Sequence, residues 1–92
     1  MIEQSNISNT LETRGTTHGD FKWQCAITHK LKGTIGWGET GTLKDYQIEA
    51  LDMIAVKIGR ILAGNCMEPD HWHDIAGYAT LVEKECLKEN QT

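Results

Sequence analysis

Apolar residues recur every three or four positions in three stretches of the chain, which is the spacing of one face of an α-helix. The central stretch shows this pattern most clearly. Thr42 or Asp45 caps a helix there that ends near Ala63, and Gly64 is expected to stop it in the left-handed conformation. Its predicted core face contains Ile48, Leu51, Ile54, Ala55, Ile58 and Leu62. The opposite side carries Glu49, Asp52, Met53, Val56, Lys57 and Arg60.

A shorter helix is predicted before the central one. It covers about residues 21–32, with Asp20 as its cap and Gly33 as its end. Residues 33–44 are then a glycine-rich connector, which lacks the spacing and the Lys-Ser/Thr ending of a phosphate-binding P-loop. Trp37 is expected to fold back on a neighbour or to cover a pocket, as aromatic side chains in such loops often do.

The last helix is predicted over about residues 69–88. Pro69 suits its first turn, with Glu68 or Asp70 near its cap. Its predicted apolar stripe contains Trp72, Ile75, Ala79, Val82 and Cys86. Gly77 interrupts this helix, and close packing against another helix is the favoured reason. The alternative is that a ligand or a partner backbone lies against it, beside Asp74 and Tyr78.

These elements predict an all-α fold with a single domain over residues 1–92. It is a small helical bundle in which the long central helix and the C-terminal helix form a hairpin. Residues 1–8 are polar and are expected to be flexible. A chain of 92 residues with 39% hydrophobic residues buries a limited core, so we expect a homo-oligomer. Four apolar side chains are surplus to a single small core: Trp37, Met53, Val56 and Leu81.

Charge and cysteine content narrow the class of protein. The net charge of -4 argues against a dedicated nucleic-acid binder, although a few local cations suffice for a small anionic ligand. The three cysteines form no C-x-x-C pair, which fits reduced thiols of a cytosolic protein. No apolar run approaches the roughly 20 residues of a membrane span. We therefore expect a cytoplasmic protein with no membrane partner.

Two pairs of carboxylates stand out along the predicted hairpin. Glu49 and Asp52 are three residues apart, and Asp70 and Asp74 are four apart, so each pair points from one face of its helix. Together they are suited to hold magnesium, whose ligands are oxygen atoms and often include phosphates. The alternative is that acids simply favour the first turns of helices, where they oppose the macrodipole.

Cations accompany the acids. Lys57 and Arg60 lie further along the central helix, and an arginine fork with a lysine point charge is suited to bind phosphate. The same residues are equally suited to salt bridges within or between helices. Arg14 and His18 frame a glycine-containing loop, R-G-T-T-H-G-D-F, that is expected to close over a ligand. Tyr78 is a further candidate contact.

Three segments in order carry a resemblance to a known family: R-G-T-T-H-G-D-F, E-A-L-D-M-I-A-V-K-I-G-R-I-L-A-G-N and D-H-W-H-D-I-A-G-Y-A-T-L-V. Over about residues 14–84 the chain resembles a family of small uncharacterised phage and prophage proteins. The family pattern has Tyr where His18 stands in this chain. The resemblance implies a phage origin and, for a phage-encoded protein, the cytoplasm of the host.

The same segments are distantly similar to the MazG-like all-α nucleotide pyrophosphohydrolases, which hold magnesium with a Glu-x-x-Glu and a Glu-x-x-Asp motif. This resemblance implies that Glu49 and Asp52 match the first motif. Asp74, with Asp70 or His71 nearby, matches the second imperfectly. Ile48 stands where a further glutamate usually precedes the first motif, and this departure weighs against hydrolysis more than against binding.

Three functions follow as expectations. The first is a binding protein that grips a phosphate-bearing nucleotide, or a nucleotide-derived immune messenger of the host, as an anti-defence protein. Its ligand contacts would be Arg14, His18, Lys57, Arg60 and Tyr78. The second is a magnesium-dependent nucleoside triphosphate pyrophosphohydrolase that uses Glu49, Asp52, Asp70 and Asp74. The third is a structural or partner-binding protein whose charged residues only form salt bridges.

Overall fold

The computed structural model of the protein describes residues 19–91, and within this range every regular element is helical. Helix α1 covers Phe21–Ile35, a single 3-10 turn covers Trp37–Glu39, α2 covers Asp45–Ala63 and α3 covers Pro69–Asn90. The prediction of an all-α fold is confirmed for this part of the chain. The predictions for residues 1–8, Arg14 and His18 lie outside the described residues.

Helix α1 begins where the sequence predicts and ends later. The Trp23 backbone N–H donates to Asp20 Oδ1 over 3.0 Å, so the predicted cap is confirmed. The predicted stop at Gly33 is wrong, because the helix continues to Ile35 and ends at Gly36. Gly36 has a φ of 63°, and its N–H donates to the Lys32 carbonyl over 2.9 Å. A glycine inside a helix costs only about 1 kcal/mol, so Gly33 does not force an end.

The ends of α2 also differ in detail from prediction. Its N-cap is Lys44 and not the predicted Thr42 or Asp45, and the Lys44 backbone N–H donates to Gln47 Oε1 over 2.8 Å. At the other end, Gly64 has a φ of -127°, so the predicted left-handed stop is wrong. The Gly64 N–H nevertheless donates to the Arg60 carbonyl over 2.9 Å, which closes the last turn of α2. Glu68 is the N-cap of α3 and Pro69 its first residue, as expected.

Helix α2 packs against both other helices. On the α1 side, a Cβ added at Gly59 would lie 2.9 Å from the Gln24 carbonyl oxygen and from Thr28 Oγ1, so this glycine permits the close approach. On the α3 side, Lys57 Nζ lies 2.8 Å from Asp74 Oδ2. The central helix therefore has two covered sides, where the sequence predicts one core face.

This arrangement corrects the predicted core of α2. Its buried residues are Ala50, Ala55, Lys57, Gly59 and Ile61. Lys57 was predicted on the polar side and is only 8% exposed, whereas Leu62 was predicted in the core and is exposed. Both errors have the same physical cause, because an amphipathic pattern assumes a single neighbour and α2 has a neighbour on each side.

The covered face of α3 is also rotated from the predicted stripe. Trp72 and Ala79 are exposed, whereas His71 is only 1% exposed. The Trp72 indole N–H donates to the Cys66 carbonyl over 2.9 Å, which holds the ring over the link between α2 and α3. All three cysteines are free thiols. Within residues 19–91, no helix combines the length and apolarity required to cross a lipid bilayer.

Candidate functional site

An open cleft of about 560 Å³ runs along α3, and we call it the α3 cleft. Two turns of this helix supply its lining: His73, Asp74, Ala76, Gly77, Tyr78, Thr80 and Leu81. A Cβ built on Gly77 would meet no atom within 4 Å in the described part of the chain. The prediction that Gly77 permits close helix packing is therefore wrong for these helices. The alternative, a ligand or partner beside Asp74 and Tyr78, stays a prediction.

Asp74 connects the α3 cleft to a buried cation. Lys57 Nζ lies 2.8 Å from Asp74 Oδ2, and the lysine side chain is far less exposed than the carboxylate. The hydrogen bond from Lys57 holds the pKa of Asp74 below its ordinary value, although partial burial of the carboxylate acts in the opposite direction. The carboxylate of Asp74 is therefore ionised at neutral pH. A lysine ammonium has three N–H donors, of which Asp74 takes one.

Arg60 supplies a second positive charge near this pair. It follows Lys57 by three residues, so the two side chains leave neighbouring positions of the same side of α2. Arg60 is half-buried, and no hydrogen bond or ion pair joins it to another of residues 19–91. Among the described residues the guanidinium donors are therefore not engaged by a carboxylate, which suits them to bind an anion.

A second cavity lies between α2 and α3, and we call it the apolar groove. Its volume is about 310 Å³, and it is lined by Tyr46, Glu49, Ala50, Met53, Tyr78, Leu81, Val82 and Glu85. Tyr78 and Leu81 line both the groove and the α3 cleft. Burial raises the pKa of Tyr46 above its ordinary value, and the neighbouring Glu89 raises it further. The phenol at this end of the groove is therefore protonated at neutral pH.

The four carboxylates predicted as magnesium ligands have different surroundings. Asp52 faces the connector, where the Trp37 indole N–H donates to Asp52 Oδ1 over 3.0 Å and Lys32 Nζ lies 3.6 Å away. Glu49 lines the apolar groove, Asp74 pairs with Lys57, and Asp70 is exposed in the first turn of α3. Within residues 19–91, no three His, Cys, Asp or Glu side chains are grouped closely enough to hold a metal ion.

Trp37 behaves as the sequence predicts, since its ring folds back and donates to Asp52 on α2. His71 is the residue that sequence reasoning misses. From the sequence it is named only as a neighbour of Asp74 in the imperfect second motif, but it is the most deeply buried side chain among residues 19–91. The signal was the spacing of His71, Asp74 and Tyr78, which places all three on one face of α3.

Comparison of the chain with protein-family models, with curated proteins and with solved structures finds no match. The function is therefore argued from the α3 cleft and from the charges beside it.

Proposed function

We propose that the protein binds a phosphate-bearing nucleotide in the α3 cleft, with Lys57 and Arg60 as the phosphate-binding cations and Tyr78 as a contact. In this proposal α2 and α3 form a hairpin, and the protein acts as a homo-oligomer. The observation that carries the proposal is the half-buried guanidinium of Arg60, which has no partner among residues 19–91 and lies one turn from a buried lysine. Partial burial of a guanidinium without a counter-charge costs free energy, and a bound anion would supply that charge.

Phosphate is the anion that suits these groups best. The planar guanidinium fork matches two phosphate oxygens, and the Lys57 ammonium retains two donors beyond the one that Asp74 takes. Both cations are shielded from water to different degrees, and shielding strengthens charge interactions. Asp74 fixes the position of the lysine, so that the ammonium does not need to be ordered when the ligand arrives.

Binding without turnover is favoured over hydrolysis. Two of the four acids required for a magnesium centre are already engaged by cations, Asp52 by Lys32 and Asp74 by Lys57. Following the resemblance to phage proteins, we extend the proposal to the role of the ligand. It is a nucleotide-derived signal of the host, which the protein sequesters in the host cytoplasm as an anti-defence protein.

Calorimetric titration of the full chain tests this function. The panel contains nucleoside phosphates and cyclic dinucleotides, with the corresponding phosphate-free nucleosides as controls. We expect phosphorylated compounds to bind, and Arg60→Gln to weaken their binding about tenfold or more, the usual cost of losing hydrogen bonds to a charged group. Lys84→Gln, which removes an exposed cation of α3, is the matched control and should leave binding unchanged.

Two results contradict the proposal. If no phosphorylated compound binds, or if Arg60→Gln alters stability but no affinity, the charged residues serve only the fold. Incubation of the same nucleotides with magnesium provides the second measurement. Conversion of a nucleoside triphosphate to its monophosphate at a rate proportional to protein concentration would identify a pyrophosphohydrolase instead.

A further inference from the structure

We propose that the apolar groove is a nucleobase pocket and that its carboxylates select guanine. This inference rests on the proposed function, because it assigns the second half of the same ligand. The connection is geometric, since Tyr78 and Leu81 belong to the walls of both cavities. A ligand whose phosphate lies beside Lys57 and Asp74 can therefore extend past Tyr78 into the groove without leaving the surface.

The distance along α2 from the apolar groove to Lys57 suits a single nucleotide. Glu49 in the groove and Lys57 at the phosphate end are eight residues apart, which corresponds to about 12 Å of helix. A mononucleotide in an extended conformation reaches from its base edge to its phosphate over a similar length. A dinucleotide would have to bend at Tyr78 or leave one base in solvent.

The walls of the groove suit a flat aromatic ring. Tyr46 and Tyr78 supply aromatic surfaces from α2 and α3, and Ala50, Met53 and Val82 supply apolar ones. Aromatic rings stack on tyrosine in offset or edge-to-face geometry, and a methionine thioether adapts to the edge of a ring. These walls favour any nucleobase over a sugar or a second phosphate, but they do not by themselves distinguish one base from another.

The carboxylates provide that distinction. Glu49 and Glu85 line the groove from opposite helices, and Glu85 Oε1 is already held by Lys88 Nζ at 3.2 Å. Glu49 makes no hydrogen bond or ion pair with other residues of the range 19–91. An ionised carboxylate only accepts hydrogen bonds, so it pairs best with two neighbouring donors.

Guanine alone among the common bases offers such an edge, because its ring N1–H and its exocyclic amine are adjacent donors. Adenine presents one donor beside an acceptor on its corresponding edge, and so does cytosine. Uracil and thymine present one donor between two acceptors. A base that presents an acceptor to this carboxylate loses a hydrogen bond and meets like partial charge, so Glu49 also acts against the other bases.

Titration with GMP, IMP, AMP and ribose 5-phosphate tests the assignment. We expect GMP to bind about tenfold or more tightly than AMP, with IMP between them because it keeps N1–H and lacks the amine. Glu49→Gln should bring GMP to the affinity of AMP and leave ribose 5-phosphate unchanged. Glu83→Gln, which removes an exposed carboxylate of α3, is the matched control and should preserve the preference.

The possible results of these titrations distinguish a failure of the nucleobase pocket from a failure of the phosphate site. Equal affinities for GMP, AMP and ribose 5-phosphate would overturn the base pocket and support phosphate binding alone. A preference for guanine that survives Glu49→Gln would overturn the role of that carboxylate. Binding of guanosine as tight as that of GMP, with ribose 5-phosphate not bound, would support the pocket and overturn the phosphate site.

Discussion

The ion pair between Lys57 and Asp74 is lost when the Asp74 carboxylate binds a proton. Lys57 holds the pKa of Asp74 below its ordinary value, so the carboxylate binds a proton less readily in the folded chain than in the unfolded chain. This shift fixes how the stability of the fold changes with pH. The pair stabilises the fold above the unfolded pKa of about 3.9, and its contribution is lost as the pH falls through the lower folded pKa.

Asp74→Asn tests this linkage at the level of one residue. We expect the variant to be less stable than wild type at pH 7, because Lys57 then lies buried without a counter-charge. The difference in the free energy of unfolding should shrink as the pH is lowered from about 4 toward 2, since wild-type Asp74 becomes neutral there. Urea unfolding at each pH measures it. Glu83→Gln, on an exposed carboxylate in the middle of the same helix, should show a difference near zero at pH 7.

Trp37 gives a second prediction at the scale of a residue. Its indole N–H donates to Asp52 and fastens the connector to α2. Trp37→Phe keeps an aromatic ring and removes the donor, so we expect a loss of about 1 kcal/mol in the free energy of unfolding. Chemical denaturation measures the loss. Asp52→Ala removes the acceptor, so the same stability in the double variant Trp37→Phe and Asp52→Ala as in Asp52→Ala alone would show that the hydrogen bond is the cause.

At the scale of elements, two glycines inside helices have opposite surroundings. A Cβ at Gly59 would lie 2.9 Å from the backbone carbonyl oxygen of Gln24, and one at Gly77 would meet nothing within 4 Å among the described residues. We expect Gly59→Ala to destabilise the fold by about 1–3 kcal/mol, because α1 and α2 must move apart. Gly77→Ala should stabilise it by about 0.5–1 kcal/mol, because alanine favours the helix.

Thermal and denaturant unfolding of the two alanine variants measures these changes in the free energy of unfolding. Each variant is the control of the other. Nucleotide affinity is a second measurement on Gly77→Ala, because Gly77 lines the α3 cleft. If a nucleotide lies against this position, the variant binds it more weakly although it is more stable. A variant that gains stability and keeps full affinity would place the ligand elsewhere in the cleft.

The helices themselves were predictable, and the faces that they cover were not. Asp20 and Pro69 mark helix starts through local chemistry that needs no tertiary information. The buried Lys57 and the exposed Leu62 depend on how many neighbours α2 has, which a single amphipathic pattern does not encode. For the candidate site, sequence spacing placed Lys57 and Arg60 on one side of α2, but the pairing of Lys57 with Asp74 required the packing of α3.

At the scale of the whole molecule, apolar surface collects at one end. The backbone of Gly19 lies against Ala63, so the start of α1 is beside the end of α2 and the link to α3. Five large side chains belong to this end: Phe21, Trp23, Leu62, Met67 and Trp72, with exposed fractions of 75%, 57%, 64%, 80% and 55%. Three of the five are aromatic, the residue type that is enriched in protein interfaces, so this end is suited to contact a partner.

We expect a second copy of the chain to bind at this end. The core of residues 19–91 is small, so burial of further apolar surface between two copies would stabilise the fold. Only three hydrophobic residues are buried in that range, Ala50, Ala55 and Ile61. The sequence predicts four side chains as surplus to the core, Trp37, Met53, Val56 and Leu81, and of these Leu81 alone is exposed. The larger exposed side chains at this end are therefore the contact that we expect between copies.

Leu62→Glu tests this interface by placing a charge within it. We expect wild type to sediment as an oligomer and the variant to sediment as a monomer, because burying an unpaired carboxylate opposes association. Leu87→Glu is the matched control, since Leu87 is similarly exposed but lies near the far end of α3. Analytical ultracentrifugation across a concentration series measures the mass. A monomeric wild type, or equal dissociation by both variants, would exclude this end as the interface.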